Sequence, residues 1–565
     1  MEQRLDKILD GVKSAFGKDF YKNRIPNYIY DNLRTGFGKR EYQQEAFGRF
    51  DFYWKDYQNR PKDIPTQLLF HMATGSGKTL IMAGLILYLY EKGYRDFLFF
   101  VNSSNIIEKT RDNFLNSTSS KYLFAETISI GDKIIRIKEV ENFQATNQED
   151  VNIVFSTIQG LHSRLNTPKE NSVTYDDFEE KKIVLISDEA HHINAETRRG
   201  ERVTNEELFE VLSWEQTVFK IFNANRENVL LEFTATADLG DENIAEKYFD
   251  KLIFDYPLKQ YRIDGYSKEV KLLQSDLSTF ERAIQAIILS QYRRKVFEKN
   301  KKRVKPVILF KSKTIKESHA FYDEFVEGIK KLTVKELQKI KSNVAKYSEY
   351  QTTMFGGDIG RALYDAFKYF EVNNISFENL IMELQGDFAE EKLISVNSKE
   401  ESEEKQLAVN SLEDEKNEYR AVFAVDKLNE GWDVLNLFDI IRLYNTRDAK
   451  DGKPGKTTTS EAQLIGRGAR YFPFRITEEQ PIDRRKYDAD LGSELRICEE
   501  LYYHSEYNNR YIQELNTALA EIGIKAKEAY EREVKLKDGF KETKFYKSGM
   551  LFLNELQLNT REDIV

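Results

Sequence analysis

The sequence contains a single cysteine, Cys498, among its 565 residues. One cysteine cannot form a disulfide framework or a multi-cysteine metal site, so we expect a reducing compartment and a lone buried thiol. The chain also lacks a long apolar run that could span a membrane, and its charged, amphipathic N-terminus lacks the apolar region of a secretory signal. These absences predict an intracellular, cytoplasmic protein with no membrane partner.

The sequence has no excess of positive charge, since its formal net charge is −9. This value argues against a protein coated in nucleic acid, although whole-chain charge does not describe a single groove between domains. The hydrophobic fraction of 40% and the aromatic fraction of 13% are ample for buried cores. A chain of this length is expected to form about three or four domains.

A glycine-rich turn between a predicted strand and a predicted helix carries the sequence MATGSGKT. Glycines let the backbone bend so that its amides point at the β- and γ-phosphates, and the lysine reaches the same oxygens. The threonine hydroxyl can join the shell of a Mg²⁺ ion. The strict pattern has a glycine where Met72 stands. The residues predicted to hold ATP are Thr74, Gly75, Ser76, Gly77, Lys78 and Thr79, and Thr79 is also a predicted Mg²⁺ ligand.

Gln43 lies near the start of the predicted helix that precedes this turn. A side-chain amide offers one donor and one acceptor, which matches the hydrogen-bonding edge of adenine. We therefore assign Gln43 to the adenine base. The alternative is an ordinary surface glutamine.

The segment IVLISDEAHHIN begins with four apolar residues, Ile183 to Ile186, and delivers acidic side chains at the end of a predicted buried strand. Ligands of α/β sheets bind at this carboxyl edge. Asp188 is suited to hold Mg²⁺, and Glu189 to orient and deprotonate the attacking water. His191 and His192 follow, but adjacent residues diverge in direction and no further ligands follow at zinc spacing, so we predict no metal site there.

Short polar side chains follow other predicted strands. Hydroxyl and amide groups at such strand ends bind backbone phosphates without reading base sequence. Simple helix capping is the alternative for each loop. The residues predicted to contact nucleic acid are Asn102, Ser103, Thr157, Lys311 and Ser312.

The segment QLIGRGAR places Arg467 and Arg470 three residues apart, and they share one face if the segment is helical. Beside Gln463, two guanidiniums make a clamp for developing phosphoryl charge, which is the role of an arginine finger. The alternative is that both arginines only increase solubility. The predicted catalytic residues are Lys78, Glu189, Gln463, Arg467 and Arg470.

In chain order, Gln43, MATGSGKT, SDEAHH, TAT, NEGWDV and QLIGRGAR resemble the motif series of superfamily 2 helicases. The pair EGWDV and QLIGRGAR is similar to the restriction (Res) subunit of type III restriction-modification enzymes. The resemblance implies ATP between two RecA-like domains, a duplex-DNA track across both, and a methyltransferase subunit as partner. It also implies that Gly431 and Asp433 lie by the nucleotide and that Arg467 and Arg470 face the γ-phosphate from the second domain.

We predict an α/β fold with two tandem RecA-like parallel-sheet domains, a helical insertion in the second domain and a C-terminal extension. The predicted boundaries, which rest on lapses of apolar periodicity and on charge runs, are an N-terminal helical segment at 1–39, an ATP-binding domain at 40–255, a second domain at 256–480 with an insertion at about 322–420, and a connector at 481–565.

The connector is expected to hold no complete nuclease domain, although the resembling subunits carry one after the motor. A nuclease of that type needs two carboxylates and a lysine around Mg²⁺. After Arg470 the sequence offers only the ExK of Glu533 and Lys535, which we interpret as surface charges. The predicted function is therefore ATP-driven movement along duplex DNA without cleavage by this chain. An RNA helicase of superfamily 2 and a non-catalytic ATP-binding scaffold are the alternatives.

Overall fold

The computed structural model of the protein describes most of the chain up to residue 524. The described residues are 3–34, 40–119, 121–144, 146–166, 175–190, 205–237, 239, 241–349, 357–397, 403–425, 432, 434–445, 454–490 and 492–524. The chain divides into two compact units, residues 1–525 and 526–565, and both large β-sheets lie in the first unit.

The first half of the chain alternates strands with helices. Its helices are α1 (Leu5–Phe16), α2 (Asn27–Asn32), α3 (Glu41–Lys55), α4 (Lys78–Glu91), α5 (Ser104–Leu115), α6 (Ile158–Asn166), α7 (Asp176–Glu179), α8 (Asn205–Ala224) and α9 (Glu242–Lys247). Its strands are β1 (Thr66–Met72), β2 (Asp96–Val101), β3 (Ile128–Ile130), β4 (Lys133–Ile135), β5 (Ile137–Glu139), β6 (Val151–Thr157), β7 (Ile183–Asp188), β8 (Val229–Thr234) and β9 (Leu252–Tyr256).

Seven of these strands form one sheet in the order β5-β6-β2-β7-β8-β1-β9, and all their pairings are parallel. Strands β1, β2 and β8 are buried along their length and mostly apolar, as expected where helices cover both faces of a parallel sheet. Strands β3 and β4 form a separate antiparallel hairpin. Because the large sheet is parallel, the polar residues that follow β1, β2, β6, β7 and β8 share its carboxyl edge.

The second half of the chain repeats this pattern and inserts a group of helices. Its helices are α10 (Leu258–Ile263), α11 (Thr279–Lys299), α12 (Ile315–Lys330), α13 (Val334–Glu349), α14 (Gly357–Val372), α15 (Phe377–Asp387), α16 (Glu403–Asn410), α17 (Lys456–Gly468) and α18 (Asn509–Glu521). Its strands are β10 (Glu269–Ser275), β11 (Val307–Lys311), β12 (Leu393–Val396), β13 (Ala421–Ala424), β14 (Leu437–Arg442) and β15 (Glu500–Glu506). Short 3₁₀ turns occur at Lys22–Arg24, Glu390–Lys392 and Glu494–Glu499.

The second sheet has six strands in the order β10-β15-β14-β11-β13-β12, again with parallel pairings only. The predicted α/β class with two RecA-like parallel sheets is therefore confirmed. Strand β15 lies inside this sheet, between β10 and β14, so the sheet extends past the boundary at 480 that the sequence suggests. The other domain boundaries stay predictions.

The cores of the two halves form around these sheets. In the first half, α4 is buried almost throughout and packs with β1 and α3 in one large apolar cluster. In the second half, α11 to α15 cover one face of the sheet, and α16, α17 and α18 cover the other. Cys498 is buried and has no disulfide partner, as the sequence predicts. Among the described helices, none combines the length and the apolar character needed to cross a bilayer.

Candidate active site

The phosphate loop, which we define as residues 73–79, connects β1 with α4. Gly75 and Gly77 have φ angles of 79° and 84°, a region that glycine adopts without steric strain. The backbone N–H groups of Leu80 and Ile81 donate to the carbonyl of Gly77, so the helix begins directly behind the loop. Lys78 is buried at this helix start, with 8% of its surface exposed. The loop thus has the backbone form that presents amides to an anion.

Three side chains from outside the loop bind its carbonyl groups. The Gln43 amide Nε2 and the Tyr42 hydroxyl donate to the carbonyl of Ser76 at 2.7 and 2.8 Å. The Tyr261 hydroxyl donates to the carbonyl of Gly75 at 3.1 Å. These three donors satisfy the carbonyls of Gly75 and Ser76 and so help to fix the form of the loop.

Gln43 lies against the loop and is buried, so it is not a surface glutamine. A Cβ atom at Gly77 would come within 2.4 Å of the Gln43 Nε2 atom, which shows how closely the two pack. The buried carbonyl oxygen of Gln43 and the buried hydroxyl of Ser76 have no hydrogen-bond partner in the described structure. Buried polar atoms of this kind fit a site that a polar ligand completes. These residues therefore suit a nucleotide.

The acidic pair lies two strands away from the phosphate loop on the same sheet edge. Strand β7 ends at Asp188, which is 8% exposed, and the backbone N–H of Glu189 donates to its Oδ1 atom at 3.0 Å. Burial and the charge of Glu189 raise the pKa of Asp188 to about 6, while the nearby Lys78 opposes the shift. Asp188 and Lys78 are thus electrostatic neighbours. One carboxylate and the Thr79 hydroxyl suit Mg²⁺, which commonly binds few protein ligands together with substrate phosphates.

Glu189 has a φ angle of +49°, which is uncommon for a residue with a side chain. The left-handed region costs a non-glycine residue about 1–2 kcal/mol. Backbone strain of this kind clusters at active sites, where it fixes the direction of a side chain.

Arg470 brings the second sheet to the phosphate loop. It follows α17 directly, is 8% exposed, and lies so close to Gly75 that a Cβ there would be 3.1 Å from its Cγ and Nε atoms. Burial lowers the pKa of Arg470, and the Tyr261 and Glu189 groups act in the opposite direction. The structure therefore brings Arg470 together with Gly75, Glu189 and Tyr261.

Arg467 lies in the last turn of α17 and is half-buried, whereas Gln463 is exposed. Both arginines act on Lys109 of α5: burial lowers the pKa of Lys109 to about 8, and Lys121, Arg470 and Arg467 add to this shift. The arginine pair thus faces α5 of the first half. The structure gives Gln463 no comparable position.

The helix α17 is held by buried acidic residues. Glu461 accepts hydrogen bonds from the Tyr511 hydroxyl at 2.6 Å and from Arg442 Nε at 2.8 Å. Glu514 accepts from the Thr458 hydroxyl and from the backbone N–H of Gly455 at the start of the helix. These contacts fix the helix that carries both arginines.

The residues predicted to contact nucleic acid fall into two groups. Asn102, Ser103 and Thr157 are partly exposed at the carboxyl edge of the first sheet. The Thr157 hydroxyl accepts from the backbone N–H of Gly160 at 3.0 Å, so it caps α6 as the alternative interpretation suggests. Lys311 and Ser312 are buried, with 5% and 1% of their surface exposed, and their contact with nucleic acid stays a prediction.

Several predicted residues lie outside the described part of the chain. They are Gly431, Asp433, His191, His192, Glu533 and Lys535.

The sequence interpretation missed the tyrosines around the loop. Tyr42 stacks on Tyr256 with ring centroids 4.4 Å apart, and Tyr266 meets Tyr42 edge to face at 5.0 Å. The segment from Tyr256 to Tyr266 enters the sequence analysis only through the predicted domain boundary at 255/256. Its repeated tyrosines were the available signal, since clustered aromatic residues indicate packing.

Comparisons with known proteins address the family. A family model described as "Type III restriction enzyme, res subunit" matches residues 37–239, a range that contains the phosphate loop and the acidic pair. A second family model, described as an N-terminal region, matches residues 457–528. The probable type III restriction-modification enzyme HindVIP Res subunit of Haemophilus influenzae is 37% identical over 470 residues, which cover 78% of this chain and 90% of that protein.

Solved structures to which this chain is similar include restriction enzymes of other types. A fragment of a HsdR subunit of a type I restriction enzyme from Vibrio vulnificus YJ016 has a TM-score of 0.41 and 16% identity, over 90% of this chain and 70% of that one. The ATP-dependent type ISP restriction-modification enzyme LlaBIII, bound to DNA, has a TM-score of 0.44 and 15% identity, over 86% of this chain and 30% of that one. The identity and coverage of the Haemophilus relative decide the assignment: this chain belongs to the Res subunit family of type III restriction-modification enzymes.

Proposed function

We propose that the protein is a DNA-stimulated ATPase that moves along duplex DNA as the motor of a type III restriction enzyme. The observation that carries this proposal is the position of Arg470, which reaches from the second half of the chain to Gly75 in the phosphate loop of the first. An arginine supplied across a domain interface makes ATP hydrolysis depend on the relative position of the two halves. Such dependence is what a motor needs.

The first half supplies the groups that bind the nucleotide. The loop amides and Lys78 bind the phosphates of ATP, and the Gln43 carbonyl oxygen is an acceptor for the amino group of adenine. Thr79 and Asp188 are the residues that would hold Mg²⁺, which neutralises charge on the β- and γ-phosphates when bound.

The two halves share the hydrolytic step. Glu189 takes a proton from the attacking water, and its fixed backbone orients the carboxylate for this purpose. Arg470, with Arg467 beside it, stabilises charge that develops on the transferred phosphoryl group. The proposal assigns no chemical step to Gln463, which is exposed.

Asn102, Ser103 and Thr157 are proposed to contact the DNA backbone, because their polar groups lie at one sheet edge. Phosphate contacts of this type carry little sequence preference and weaken as salt rises. A modification subunit, a class of partner that the name of the Haemophilus relative implies, would then supply sequence recognition.

Phosphate release from ATP, measured with duplex DNA, single-stranded DNA or RNA, tests the substrate class. We expect the largest stimulation by duplex DNA, and Lys78→Ala should abolish it. Displacement of a triplex-forming oligonucleotide from duplex DNA tests movement directly. Greater stimulation by RNA than by DNA would favour the RNA helicase, and nucleotide binding without turnover would favour the scaffold.

A further inference from the structure

Lys268 is a lysine with 0% exposure at the junction between the two halves of the chain. It lies between α10 and β10, and fully buried lysines are rare unless their charge has partners. Its Nζ atom donates to the carbonyls of Leu435 at 2.6 Å, Leu437 at 2.7 Å and Gly468 at 3.1 Å. An ammonium group has three donors, so these carbonyls use all of them.

One of these carbonyls belongs to the last residue of α17. Carbonyls at a helix C-terminus have no partner within the helix, and a cation there is favourable. The backbone of Lys268 adds a second contact, because its N–H donates to the carbonyl of Ala469 at 2.6 Å. Ser267 and Arg470 then form an antiparallel bridge. The two residues in front of Arg470 are therefore held by the side chain and the backbone of Lys268.

The same segment reaches the phosphate loop at its other end. Tyr261 donates to the carbonyl of Gly75, and Tyr266 packs against Tyr42, whose hydroxyl binds the carbonyl of Ser76. Residues 261–268 thus connect the loop that binds phosphate with the helix end that carries the arginine.

We propose that Lys268 is a positioning residue for Arg470: its contacts with the carbonyls of Leu435, Leu437 and Gly468 hold the end of α17 so that Arg470 stays over Gly75. This inference rests on the proposed function. Lys268 does not touch the nucleotide, and its effect on hydrolysis passes through Arg470.

A purely structural role predicts a different result from a positioning role. Lys268→Met removes the donor of three buried carbonyls and is therefore expected to destabilise the fold. Lys268→Gln keeps two N–H donors, and denaturant unfolding shows which variants fold. A displaced catalytic group lowers turnover strongly, since a shift of about 1 Å can cost about 10²-fold.

The pH dependence of kcat is a second readout, because the surroundings of Lys268 shift its pKa. Burial lowers the pKa of Lys268; Arg293 of α11 and Arg470 lower it further, whereas Glu413 and Asp439 of β14 raise it. As pH rises, Lys268 thus loses its proton before an ordinary lysine does, and the neutral amine has only two donors for three carbonyls. We expect kcat of the parent protein to fall on the alkaline side.

The experiment compares Lys268→Met, Lys268→Gln and the control Lys271→Met, which changes a half-buried lysine on β10. With saturating duplex DNA, we expect kcat to fall by about 10- to 100-fold in the Met variant and less in the Gln variant, which keeps two N–H donors. KM for ATP and the affinity for a fluorescent ADP analogue should stay within about twofold of the parent, because the phosphate loop is untouched. The control should match the parent.

The pH profile completes the test. The alkaline fall in kcat should be absent in both Lys268 variants, since neither titrates there, and Lys268→Gln alone decides this point if the Met variant does not fold. A folded Lys268 variant with parental kcat and an unchanged alkaline limb overturns the positioning role while the ATPase assignment stands. A parent chain that hydrolyses no nucleotide overturns the proposed function and this inference with it.

Discussion

The phosphate loop of the first half and the arginine helix α17 of the second both depend on glycine, for different physical reasons. In the loop, Gly75 and Gly77 have positive φ angles that side chains rarely adopt. In α17, Gly466 and Gly468 have no such angle, but a Cβ at Gly468 would lie 3.0 Å from a methyl group of Leu437. The first pair is thus fixed by backbone conformation together with close packing against Gln43 and Arg470, whereas the second pair is fixed by tertiary packing alone. A loop motif can be recognised locally, whereas a packed helix end depends on residues far away in the chain.

Arg470→Ala should have the largest effect, because it removes the group that the second half contributes to the site of the first. We expect turnover to fall by about 10³-fold or more, with nucleotide affinity largely kept. Single-turnover phosphate release and equilibrium ADP binding measure the two quantities separately. Gln463→Ala, on the exposed face of the same helix, is the matched control. If the Arg470→Ala variant keeps the parental turnover, the second half does not contribute Arg470 to the hydrolytic site of the first half.

Glu189→Gln removes a group that the first half alone supplies. The amide keeps the shape of the side chain but cannot accept the proton, so turnover should fall by about 10²-fold or more while ATP still binds. Steady-state phosphate release measures the effect. A rate within about twofold of the parent would show that another group is the base.

The glycine comparison itself can be tested with alanine. Gly77→Ala should weaken nucleotide binding by about tenfold, since an L side chain costs about 1–2 kcal/mol in this conformation and the loop must change to relieve it. Gly468→Ala should instead lower the free energy of unfolding by about 1–3 kcal/mol through overpacking and leave nucleotide affinity near the parental value. Nucleotide titration and denaturant unfolding separate the two effects.

A third alanine variant provides the control for this pair. Gly386 lies in a helix, and a Cβ there would meet nothing within 4 Å. Gly386→Ala should therefore stabilise the protein by about 0.5–1 kcal/mol through helix propensity. If Gly77→Ala and Gly468→Ala lose the same nucleotide affinity and the same free energy of unfolding, the two glycine sites do not differ as proposed.

Tyr261→Phe should have the smallest effect. The ring stays, and only the hydroxyl that binds the Gly75 carbonyl is lost, so we expect nucleotide affinity to fall by about 0.5–1 kcal/mol, or about two- to fivefold. Titration with a fluorescent ADP analogue measures it. No change in affinity would show that the loop keeps its form without this donor.

The sequence predicts the first half of the candidate site better than the second. The turn around Gly75 and the acidic pair after β7 follow from local patterns, because the chemistry and the backbone geometry lie in consecutive residues. Arg470 is recognisable as a candidate, but its position over Gly75 depends on the contact between the two halves.

Other features could not be derived from periodicity at all. Nothing in the local sequence of Lys268 shows that its partners are the carbonyls of residues 435, 437 and 468, since the fold alone brings them together. Likewise, Lys311 and Ser312 have the composition of a phosphate-binding loop, yet both are buried. Polar residue type at a strand end therefore does not establish exposure.

The place of β15 in the second sheet has a consequence for the order of folding. Among the strands that the structure describes, β10 pairs with β15 alone, in a register that joins Glu269 to Glu500, and β15 also pairs with β14. During synthesis, β10 has no neighbour until residues 500–506 have been made, and such distant pairings form slowly. Until then the edges of β10 and β14 are open to other chains, which is a hazard for aggregation. A fragment that ends at residue 480 would keep both edges open permanently.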